Sequence, residues 1–175
     1  MTTHIADAEG SDTTRWLVHG VVGGIIAGIV FAMFEMIMAA IQMGGEAFFM
    51  PLRMIGGIAL GQQALAPETS LIVAGAAGLV VHMTLSALYG AGVAVAAAIV
   101  PQLRSGTLPL VAWASAAGFA LWIVNFYVVA PIAGWNWFPE GTDPVVQFVA
   151  HTFFFGSVLG IYLDRFARSR SSVGA

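Results

Sequence analysis

The sequence predicts an all-α membrane protein: four transmembrane helices in a bundle, with a short interfacial or re-entrant helix between the first and the second. Four apolar runs, at residues 16–42, 71–100, 108–134 and 144–163, hold almost no charge. Each reaches the roughly 20 residues that a helix needs to cross a hydrocarbon core about 30 Å thick. The 175-residue chain is 59% hydrophobic and only 9% charged, which would leave a soluble domain with too little polar surface. The apolar surface is therefore expected to face lipid.

Residues 1–14 carry three acids and no base, the wrong charge for the start of a secretory signal, and the run behind them is too long for a signal core. They are expected to form a flexible acidic tail before a retained first helix, and His4 within them has no assigned role. Residues 15–166 form a single transmembrane domain, and residues 167–175 a cytoplasmic tail. Arginine placement sets the orientation, because basic residues near helix ends stay on the cytoplasmic side. Arg15, Arg104, Arg165, Arg168 and Arg170 share one face of an even-numbered bundle, against Arg53 alone on the other. The expected location is the cytoplasmic (inner) membrane, with both termini inside.

Helix starts are punctuated by Thr69 before the second run, Pro109 in the first turn of the third, and Asp143-Pro144, an N-cap followed by proline, at the fourth. Between the first two runs, residues 51–61 are apolar but too short to cross, and are expected to lie in the interface. The other outer connection, Gly134 to Pro139, concentrates aromatic rings suited to interfacial anchoring. Aligning Glu35 with Asn125 brings Phe48 to Pro51 near Trp135 to Pro139 and pairs the second-helix and fourth-helix histidines. Such an alignment makes each half a helical hairpin of a parallel repeat.

Packing faces follow from small residues. Gly20, Gly24 and Gly28 form a tandem GxxxG that permits close backbone approach, and helical steps from it through Phe31 reach Glu35. Ser86 and Gly90 continue the His82 face of the second run. In the fourth run Gly156 and Gly160 lie roughly opposite Gln147 and His151. That helix therefore sits between two neighbours, or the protein self-associates through the glycine face.

Glu35, His82, Asn125 and His151 fall roughly 10 to 17 Å inside the outer ends at 1.5 Å per residue, so one polar cluster is expected in the outer half of the bundle. An ionisable group at that depth calls for a reason, since a central charge costs about 2.5 to 3.5 kcal/mol on insertion scales. Interhelix hydrogen bonding is one reason. A metal site of His82, His151 and Glu35 is a second, and Met33, Met36, Met38, Met43, Met50, Met54 and Met83 nearby suit copper, although methionine also packs cores. Haem between His82 and His151 is disfavoured by a stagger of roughly 8 Å. A proton or ion relay is the third reason, but His19 is the sole candidate toward the cytoplasmic side, and headgroup anchoring suffices for it.

No cysteine is present, which excludes disulfides, thiolate metal sites and a cysteine nucleophile. Walker, dinucleotide, HExxH and GxSxG motifs are missing, and no nucleophile with a placed base can be named. A net charge of -3 and six dispersed arginines offer no phosphate-tracking surface, so nucleic acid is not an expected partner. The bilayer is, together with a second copy or a larger membrane complex.

The stretch His82 to Tyr89, the Asn125-Phe126-Tyr127 step, Trp137-Phe138-Pro139-Glu140 and Ala150 to Gly156 resemble a type of small bacterial integral membrane protein. Over residues 82–163 the order of helices, histidines and prolines is similar to the YagU-like inner-membrane family. This resemblance implies an inner-membrane helical bundle and brings no catalytic assignment; Glu35 lies outside it. The expected function is a polytopic inner-membrane protein whose Glu35, His82, Asn125 and His151 bind a small ligand, a metal or a proton. The alternative is a non-catalytic accessory subunit of a larger membrane complex.

Overall fold

A computed structural model describes residues 2–168, with side chains from Asp12 onward. No strand occurs among the described residues. The helices are α1 (Thr2–Met43), α2 (Met50–Leu60), α3 (Leu71–Ile99), α4 (Thr107–Ala133) and α5 (Pro144–Arg168). Four of them are long and apolar enough to cross a membrane, α1 over Asp12–Met43 together with α3, α4 and α5. Their flanks carry the matching surface: Ile72, Leu108 and Ile132 are 81%, 78% and 82% exposed, a cost in water that a hydrocarbon surround removes.

Two boundaries differ from expectation. The backbone of the acidic segment is helical from Thr2, because extending a formed helix avoids the cost of nucleating one. At the other end α5 runs past residue 163 to Arg168, where the Arg168 guanidinium pairs with Asp164 one turn back. Residues 169–175, the rest of the expected tail, lie outside the described residues.

Two hairpins make the bundle, α1 with α3 and α4 with α5. A Cβ added to Gly20 would stand 2.6 Å from the Ala94 Cβ, one on Gly24 would stand 3.0 Å from the Gly90 Cα, and one on Gly28 would stand 2.7 Å from the Ser86 Cβ. In the second hairpin, a Cβ on Gly156 or Gly160 would lie 2.7 Å from the Ser115 Cα or the Val111 Cα. The Ser115 and Ser157 hydroxyls share a hydrogen bond of 2.8 Å across the same seam. Lipid tails are as apolar as leucine, so close backbone approach and dispersion hold these pairs together.

The glycine face of α5 is thus filled by α4, not left for a second copy, and the opposite face meets α1. Phe34 stacks on Phe154 at 4.0 Å, and His19 lies 3.4 Å from the Tyr162 hydroxyl. His19 therefore has a partner on α5 as well as its place near a helix end. The resulting order is α3, α1, α5, α4, and α3 and α4 meet at few points. The indole of Trp113 donates to the Val93 carbonyl (3.1 Å), and the Tyr89 hydroxyl donates to Asn125 Oδ1 (3.1 Å).

Asp12 accepts from Arg15 and, at 2.6 Å, from Arg104, while Thr107 donates to Asp164 (2.9 Å). These pairs place the start of the apolar span of α1 at Asp12, the α3–α4 connection and the end of α5 at one end of the bundle. At the opposite end, α2 carries Pro51 in its first turn and packs its Gly56 against Ala74 and Gly78 of α3. Arg53 on α2 donates to the carbonyls of Ala64 (3.0 Å), Ala66 (2.6 Å) and Thr69 (3.0 Å), tying down the α2–α3 connection. Thr69 itself does not cap α3: Ser70 occupies that position, and Thr69 Oγ1 donates to the Gln63 carbonyl. The Asp143-Pro144 signal corresponds to real geometry, with Asp143 Oδ1 accepting from the Val145 (2.8 Å) and Val146 (3.3 Å) amides.

Candidate functional site

Where α3 and α4 part, the bundle holds a cavity of about 370 Å³. The four long helices wall it, and Met50, Met54 and Ile58 of α2 and Trp135 and Phe138 of the α4–α5 connection line one end. Trp135 and Trp137 are half-buried and Phe138 is buried. Trp137 donates its indole N–H to the Met54 carbonyl at 3.0 Å, and Phe138 packs on Phe126.

Glu35, His82, Asn125 and His151, one from each long helix, all line this cavity. Glu35 follows the glycine stripe along the packed face of α1 and is only 8% exposed. Its Oε2 accepts from Gln147 Nε2 at 2.9 Å, while its Oε1 is buried with no partner. On α3, His82 lies 2.9 Å by its Nε2 from the Gly28 carbonyl; a carbonyl only accepts, so Nε2 carries the proton and Nδ1 is left as an acceptor. By the same argument His151 Nδ1 donates to the Gln147 carbonyl one turn back (2.9 Å), which leaves Nε2 as an acceptor.

Local irregularity accompanies two of these residues. Asn125 opens a π-helical segment, Asn125–Val129, and His151 lies in another, Ala150–Ser157. An inserted residue in a π turn re-aims the side chains beside it, and such turns recur at functional sites. The first hairpin carries its cavity residues on regular α-helix, so the two halves share hairpin form but not local geometry.

Among the described residues no group of three His, Asp or Glu side chains that could hold a metal ion is found. Each imidazole has one nitrogen committed to a carbonyl, and the Phe31 ring packs on both, 5.2 Å from His82 and 4.8 Å from His151 between centroids. That ring occupies the neighbourhood an axial haem pair would need. Of the methionines, Met38, Met43, Met50 and Met54 line the cavity, whereas Met36 is buried and Met33 is exposed.

Three residues that matter here carry no site role in the sequence reading: Gln147, Tyr89 and Phe31. Gln147 was visible as the residue one turn before His151, and Tyr89 as the residue two turns after His82 on the same helical face. At the rim, Asp143 accepts from Gln42 Nε2 at 3.0 Å. The amides of Val145 and Val146, and then Gln42, hold its carboxyl below the ordinary carboxylate value. The lining combines apolar walls with a few polar groups, the composition of a small-molecule site. No protein-family model, curated protein or solved structure matches the chain, so the reading of this site rests on its own geometry.

Proposed function

We propose that this chain is a multi-pass inner-membrane protein, termini cytoplasmic, that binds a small ligand in the cavity around Glu35, His82, Asn125 and His151. The observation that carries this reading is the cavity itself, since side chains serving only as interhelix glue would meet one another in a packed interior. Here Glu35 Oε1 has no partner, and the remaining nitrogens of both imidazoles are left as acceptors. The arginine asymmetry supports the orientation, which assigns α2 and the end of the cavity that it lines to the outer side, with α2 in the interface. The resemblance of residues 82–163 to the YagU-like family accords with an inner-membrane location.

Native mass spectrometry of the protein released from lipid nanodiscs tests the reading. The wild type is expected to retain a small molecule that Leu85→Trp, which fills the cavity, does not. Equal masses of adduct on both forms would refute it. Single cysteines at Ser105 and Gln63, introduced into a chain that has none, test the orientation through labelling by an impermeant thiol reagent from either side.

A further inference from the structure

We propose that the cavity takes a lipophilic organic cation, an ammonium head at Glu35 with an apolar body extending toward α2. This deepens the ligand-binding reading above and rests on it. Four observations converge. Glu35 is buried and holds Gln147 with one oxygen only; its Oε1 is buried with no hydrogen-bond partner. Both imidazoles have spent their N–H on main-chain carbonyls, so their remaining nitrogens are acceptors as well.

The charge balance of the wall points the same way. Glu35 and Asp143 line the cavity, and no arginine or lysine does. An anionic ligand would meet two carboxyl groups with no arginine or lysine to offset them, and a purely apolar one would leave Glu35 Oε1 unpaired in a low-dielectric site. A cation supplies both the donor and the counter-charge. Finally, the rings of Phe31, Tyr89, Phe126 and Phe138 line the cavity, and aromatic faces attract cations while packing an apolar body.

The test uses three matched fluorescent probes: a dansyl-alkylammonium, its N-acetyl derivative and the carboxylate of the same chain length. Binding to the full-length protein in phosphatidylcholine nanodiscs is read by anisotropy at neutral pH, with empty discs subtracted. The ammonium is expected to bind saturably and at least about tenfold more tightly than either partner. Glu35→Gln is expected to reduce it to the level of the acetyl probe without weakening that probe, and Glu35→Asp to keep the preference. A carboxylate or acetyl probe that binds as well as the ammonium, while Leu85→Trp abolishes all binding, would overturn the cation assignment and leave the cavity reading standing. Absence of saturable binding by every probe would overturn both. A preference that persists in Glu35→Gln would show that the head lies elsewhere and also overturns the assignment.

Discussion

Gln147 Nε2 on α5 donates to Glu35 Oε2 on α1 at 2.9 Å, and the main-chain carbonyl of the same glutamine accepts from His151 Nδ1 at 2.9 Å. One residue thereby joins two helices at a buried acid and sets which nitrogen of a cavity histidine carries the proton. The side-chain bond and the main-chain bond are separable by mutation, because a carbonyl remains whatever residue stands at 147.

Gln147→Leu is therefore expected to leave both oxygens of Glu35 unpaired while His151 keeps its bond. A stability loss of about 1–3 kcal/mol follows from stranding a buried polar group. Glu35→Leu combined with Gln147→Leu removes both partners and should recover part of that loss. Thermal unfolding in detergent measures it, and a double variant less stable than Gln147→Leu alone would contradict the pairing.

Gly24 and Gly92 offer a matched comparison on the first hairpin. Gly24 abuts the Ser86 and Gly90 backbone, whereas a Cβ on Gly92 meets nothing within 4 Å. Gly24→Leu should part α1 from α3, costing at least the ~1–3 kcal/mol of overpacking, and Gly92→Leu should stay within about 0.5 kcal/mol of the wild type. Size-exclusion profiles and melting temperatures distinguish them, and equal effects would remove the packing assignment.

Arg53 holds three carbonyls of the α2–α3 connection. Arg53→Ala should raise amide exchange and proteolytic cleavage across residues 61–70 far more than within α3. Arg53→Lys should rescue only part, since an ammonium lacks the planar fork. Unchanged exchange in both variants would contradict the role.

Asp143 gives the pH dependence. Its carboxyl sits below its ordinary value of 3.8 because the folded state donates amide hydrogens to it. A depressed carboxyl contributes stability that is fully present above that value and is lost as the pH falls through the folded one. Melting temperature should therefore drop below about pH 4 in the wild type, and Asp143→Asn should flatten that component while keeping a capping acceptor. An identical acid profile in both proteins would refute the cap's contribution.

Most of the architecture was legible in the residues, because membrane spans announce themselves by length and apolarity, and the GxxxG stripe placed Glu35 on an inner face. Legibility stopped at relations between helices. Nothing local in Gly156 and Gly160 told whether α4 or a second copy would fill their face. The orientation of His82 and His151 was hidden for a similar reason: it is set by the carbonyls of Gly28 and Gln147, which composition does not reveal. The π segments at Asn125 and His151 have no sequence signature in apolar helices of this kind. The contacts of Trp137 with Met54 and of Phe138 with Phe126 were likewise hidden, because they depend on where α2 and α4 come to lie.

Thiol accessibility distinguishes a polar cluster that lines an open cavity from one packed into a seam. In a chain without native cysteine, Leu85→Cys places the thiol on the cavity wall, Val93→Cys in the buried core and Leu88→Cys on the exposed flank. A small methanethiosulfonate reagent reacts with thiols that reach water. Fast modification of Leu85→Cys, slowed by Leu121→Trp across the cavity, with Val93→Cys and Leu88→Cys inert, is the predicted result. Modification of Leu85→Cys as slow as that of Val93→Cys would mean a closed, packed interior and would contradict the account.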